Sequence, residues 1–104
     1  MVLIEKNIKE AATMLENLLM KCVEEKLNIC IHGKVKGFTI RYSSVLDEFF
    51  VNHDKLYLVC AWFELNIESE ITNIDYDEEE CSVHIIFSEG ELFIDIDDDF
   101  CNNS

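Results

Sequence analysis

The sequence predicts an α+β fold, with one N-terminal amphipathic helix laid on a five- or six-stranded, mainly antiparallel sheet. Three observations predict it. Apolar residues recur every three or four positions as far as Val23 and thereafter alternate with polar ones, which is the change from helical to strand period. Short turns rich in Gly, Asn, Asp, Glu and Ser separate the alternating stretches. Residues 56–63 form an unbroken apolar run, rich in β-branched and aromatic side chains, as expected of a strand buried on both faces near the middle of a sheet. At 104 residues the chain can build one core and not two, so residues 1–104 are expected to form a single domain.

The helix is expected over residues 3–26. Ile4, Ile8, Ala11, Ala12, Leu15, Leu18, Leu19, Cys22 and Val23 form its apolar stripe, and Lys, Glu and Asn fill the other side. The stripe is three heptad positions wide, which suits packing on a sheet better than a two-stranded seam. The sheet is expected over residues 27–97. Residues 27–32 and 38–42 alternate around a glycine-flanked turn, with Ile29, Ile31, Phe38, Ile40 and Tyr42 inward, and read as a hairpin. Lys34, Lys36 and Arg41 make that hairpin a small cationic patch. In residues 44–51, Ser44 with Asp47 resembles a capping box, and Val45/Phe49 and Leu46/Phe50 stand at helical spacing, which predicts a short second helix. Beyond residue 67 three more strands are expected, near 69–76, 81–87 and 92–97, joined by short turns as a meander. Residues 97–104 read as an acidic tail.

Charge divides the chain unequally. Through Lys55 there are 8 Lys and Arg against 8 Asp and Glu, and after it 0 against 14, so the whole formal charge of −14 sits in the last 49 residues. Hydrophobic residues nevertheless make up 49% of the chain, which argues against disorder. A surface of one sign repels phosphates and anionic headgroups, so direct binding to nucleic acid or membrane is not expected. Glu5 interrupts the N-terminal apolar residues before a signal-peptide core forms, and no apolar run approaches the roughly 18 residues of a span. A cytoplasmic protein is expected. The five cysteines, Cys22, Cys30, Cys60, Cys81 and Cys101, are odd in number and are expected to be reduced thiols acting as small core residues.

No metal, cofactor or catalytic centre is expected. Asp75 with Asp77, and Asp95 with Asp97 to Asp99, offer oxygen ligands but lack the glycine and glutamate of a calcium loop. Cys30, His32, Cys81 and His84 supply a zinc-type ligand set, yet Cys81 and His84 are three apart and leave opposite faces of a regular strand. The sequence carries no nucleophile elbow, phosphate loop or paired-histidine metalloprotease motif, so an enzyme is not expected.

Carboxylates in alternate positions on a strand project from one face about 6.6 to 6.8 Å apart, a spacing comparable to neighbouring phosphates on a nucleic acid strand. Glu68, Glu70, Asp75, Asp77, Glu78, Glu79, Glu80, Asp95, Asp97, Asp98 and Asp99 are therefore the candidate partner-binding residues. The expected function is a small acidic inhibitor that presents these groups to a basic protein, such as a nuclease or toxin-like partner. Phage anti-defence proteins, anti-CRISPR proteins among them, and toxin-immunity proteins are settings for such a phosphate mimic. The alternative expectation is a structural or oligomerisation module, up to a homodimer, that uses the helix face, a sheet edge or the exposed aromatic Phe93. A metal- or ligand-binding enzyme is the remaining alternative.

Overall fold

The structure, a computed structural model, describes residues 2–77 and 81–96. Helix α1 (Val2–Glu25) is followed by β1 (Asn28–Val35), β2 (Phe38–Asn52), β3 (Lys55–Cys60), β4 (Glu64–Ile67), β5 (Ile71–Asp77), β6 (Ser82–Phe87) and β7 (Gly90–Ile96). The seven strands form one antiparallel sheet in the order β4-β3-β2-β1-β7-β6-β5. Two meanders, β1 to β4 and β5 to β7, are thus joined side by side through β1 and β7. The sheet therefore exceeds the expected five or six strands.

Helix α1 contacts β2 and β5, which lie four places apart in the sheet, so the strands between them curve around it. Leu15, Leu19 and Cys22 are fully buried there, in one core with Ile29, Ile31, Leu58, Val83, Ile85, Leu92 and Ile94. Met14 and Met20, off the stripe, are exposed. The helix ends in a Schellman motif. Lys26 N–H donates to Val23 O, Leu27 N–H donates to Cys22 O at 2.9 Å, and Lys26 takes φ 54°. Glycine is the usual residue at that left-handed position because a Cβ is strained there. Lys26→Gly is accordingly expected to raise stability by about 0.5 to 1 kcal/mol in denaturant titration; a loss of stability would contradict the cap geometry.

The expected second helix at 44–51 is instead the C-terminal half of β2, a strand of 15 residues. Its register shifts between Leu46 and Glu48 where it turns from β1 to β3. The extra residue at that bulge breaks strict alternation, so apolar side chains fall three and four apart and imitate a helix. Val45, Phe49, Phe50 and Val51 are also good strand formers. The apolar run at 56–63 likewise divides. β3 stops at Cys60, and Ala61 and Trp62 turn the chain into β4. β3 lies next to an edge rather than at the centre, burying Leu56, Leu58 and Cys60 on one face while Tyr57 and Val59 are half-buried on the other. In the first hairpin the turn is confined to Lys36 and Gly37, both at positive φ, and Phe38 is exposed instead of inward.

Cys22, Cys30 and Cys60 form no disulfide, whereas Cys81 is disulfide-bonded, against the expectation of reduced cysteines throughout. No helix is long and apolar enough to cross a membrane among the described residues.

Candidate functional site

Because β1, β7, β6 and β5 are neighbours, their outward-facing residues align in rows. Asp77, Ser82, Asp95 and Cys30 stand opposite one another in succession, as do Asp75, His84, Phe93 and His32. A third row runs through Ile86, Glu91 and Lys34. Four carboxylates, Asp75, Asp77, Glu91 and Asp95, thereby share the face of the sheet turned away from α1. Along β5 the two aspartates stand about 6.7 Å apart, and Asp77 and Asp95 are separated by two strand spacings, roughly 9.5 Å.

The centre of this face is a three-ring stack. His32 lies parallel to Phe93 with centroids 5.1 Å apart, and His84 covers the opposite side of Phe93 at 4.0 Å, the planes inclined by only 8° and 7°. Three adjacent strands, about 4.8 Å apart, each contribute one ring, so the strand spacing itself supplies a stacking distance. Each histidine is anchored by a carboxylate from β7. His32 Nε2 lies 3.0 Å from Asp95 Oδ2, and His84 Nε2 lies 2.7 Å from Glu91 Oε1. An ionised carboxylate only accepts, so Nε2 carries the proton in both rings. Asp95 and Glu91 are consequently held in fixed orientations at opposite sides of Phe93, while Asp75 and Asp77 lie exposed on the edge strand. Lys34 and Arg41 occupy the same face at its β1 and β2 side. Carboxylates therefore gather toward β5, while Lys34 and Arg41 stand on β1 and β2.

Of the expected partner-binding residues, the structure brings Asp75, Asp77 and Asp95 together. Glu68 and Glu70 are exposed but precede the other end of β5, about 24 and about 17 Å of extended chain from Asp75. Buried Ser69 between them shares a 3.0 Å hydrogen bond with Ser88, and Glu70 O accepts from Ser88 N–H, which fixes that corner against the β6–β7 turn. Glu78, Glu79, Glu80, Asp97, Asp98 and Asp99 lie outside the described residues. Sequence reasoning missed Glu91 and the two histidines as members of the site. Phe93 stood out as an aromatic on a polar face, but its flanking histidines come from strands 61 and 9 positions away in sequence, and only the β1–β7 pairing unites them.

Among the described residues no three His, Cys, Asp or Glu side chains converge in the manner of a metal site. The zinc-type set is divided by Phe93, which stands between His32 and His84.

The thiols differ in access. Cys60, the last residue of β3, is buried opposite Leu46 of β2, and burial, aided by the Asp47 carboxylate, pushes its pKa up to about 11. Only about one Cys60 in a thousand is then thiolate at pH 8. Cys30 is half-buried on the outer face. Iodoacetamide at pH 8 is expected to label Cys30 at least about tenfold faster than Cys60; equal rates would contradict this arrangement. Because the folded pKa of Cys60 is raised, its contribution to stability is complete below the unfolded thiol range and is lost as pH rises from about 9 to 11. A Cys60→Ala variant should lack that component of alkaline destabilisation.

No family model, no curated protein and no solved structure matches the chain.

Proposed function

We propose that this protein is a small acidic binding module that presents the outer face of β5, β6 and β7 to a basic protein and so acts as an inhibitor of a nuclease or another protein that handles nucleic acid. The observation that carries the reading is the alignment of Asp75, Asp77 and Asp95 on one face, with Glu91 beside them. The histidine contacts to Asp95 and Glu91 favour it further, since acceptors already held in place lose less rotamer entropy on binding. Complementary charge also speeds encounter with a cationic groove. The role of these residues is charge and hydrogen-bond acceptance. Phage anti-defence and toxin-immunity proteins are the settings such a module fits.

The test is affinity capture with the tagged full chain from nuclease-treated lysate, washed at about 50 and about 150 mM salt. The reading expects a basic nucleic-acid-binding protein that is displaced by duplex DNA and weakened by salt. Capture that resists both salt and DNA would overturn it.

A further inference from the structure

The sheet ends in two edge strands of opposite character. β5 carries Asp75 and Asp77 and a register shift between Ile71 and Asn73, devices that oppose pairing with another strand. β4 has neither. Cys60 N–H donates to Phe63 O at 2.8 Å and closes the β3–β4 turn. Antiparallel alternation from that pair directs the backbone groups of Leu65 and Ile67 toward β3 and those of Glu64 and Asn66 outward. Among the described residues no strand pairs with that outward edge.

Beside it lies a groove of about 360 Å³, lined by Phe38, Ile40 and Tyr42 from β2 and by Phe63, Leu65 and Ile67. Tyr42 packs on Phe63 at 4.5 Å and meets Trp62 edge-on at 5.7 Å. Phe38 is 74% and Trp62 63% exposed. An open strand edge and an apolar groove side by side suit an added strand that carries apolar residues at alternate positions. β4 itself is such a strand.

We propose that the protein self-associates through β4, two copies pairing antiparallel about Leu65 so that the sheet continues across a two-fold axis. In that register the outward backbone groups of Glu64 and Asn66 in one copy exchange hydrogen bonds with those of Asn66 and Glu64 in the other. Leu65 faces its own symmetry mate, and Phe63 faces Ile67, which lays an apolar ladder over the groove. Each Glu64 stands opposite an amide and not another carboxylate, so the pairing avoids the like-charge contact that opposes pairing at a charged edge. This surface is separate from the acidic face and does not depend on the function proposed for it.

Net charge gives the dimer a distinctive salt response. Two chains of formal charge −14 repel, so added salt strengthens this association, whereas it weakens binding to a basic partner. The test is sedimentation equilibrium of the full chain from about 5 to about 500 μM at low and high salt. A monomer–dimer equilibrium that tightens with salt is expected. Asn66→Pro removes only an outward N–H and should raise the dimer dissociation constant at least about tenfold. Leu65→Glu and Leu65→Lys should each be monomeric alone, and mixing them should restore a 1:1 dimer, because position 65 faces itself. Wild-type protein that stays monomeric throughout would overturn the proposal, as would a dimer that Asn66→Pro leaves unchanged.

Discussion

Gly33→Ala is expected to cost the fold about 3 kcal/mol or more, lowering the melting temperature by more than about 12 °C. Gly33 lies inside β1 opposite Leu92, and a Cβ there would run into the backbone carbonyl of Glu91 and come within 2.9 Å of the Leu92 Cα. Those atoms are backbone in the central strand pair, so they cannot swing aside, and β1 and β7 would have to separate. The same pair positions His32 against Phe93, so the stack should loosen with it. Gly37→Ala is the control. A Cβ at Gly37 meets nothing within 4 Å, so only the strain of its φ of 83° remains, worth about 1 kcal/mol. Thermal unfolding of both variants checks the contrast; similar losses at the two positions would contradict the close approach of β1 and β7.

Ile94→Ala is expected to cost more stability than Phe93→Ala, its neighbour on β7. Ile94 is fully buried between Ile31 and Val83 in the curved core, and truncation there leaves a cavity worth about 2 to 5 kcal/mol. Phe93 is half-buried on the outer face, where its loss removes two ring contacts worth about 0.5 to 1.5 kcal/mol each. Urea titration of the two variants reads this directly. Equal destabilisation would mean that the stack belongs to the core and not to a surface laid over it.

Local periodicity made much of this fold legible. The stripe of α1 and the alternation in β1, β6 and β7 follow from residue spacing alone, because each element buries one face against a single core. β2 was illegible at its bulge, where one extra residue near Asp47 shifts the period and makes Val45, Leu46, Phe49 and Phe50 resemble a helical stripe. The division of residues 56–63 at Ala61 and Trp62 was hidden because that turn contains neither glycine nor a charged residue. The acidic strand pair Asp75 and Asp77 could be read from spacing. Their union with Asp95, and the clamp of Phe93 by two histidines, required the order β1-β7-β6-β5, and strand order is set by long-range packing that no window of sequence reports.

The acidic face is tested most directly by the affinity of the captured basic protein for three forms of this chain. One is wild type. In the second, Asp75→Asn, Asp77→Asn, Glu91→Gln and Asp95→Asn neutralise the outer face. In the third, Glu10→Gln, Glu16→Gln, Glu24→Gln and Glu25→Gln remove the same charge from exposed positions on α1, across the sheet from that face. The face variant is expected to bind about 100-fold more weakly, with a shallower dependence on salt, and the helix variant to stay within about threefold of wild type. Equal losses in both would make the acidity a matter of net charge alone, and unchanged binding in the face variant would contradict the account outright.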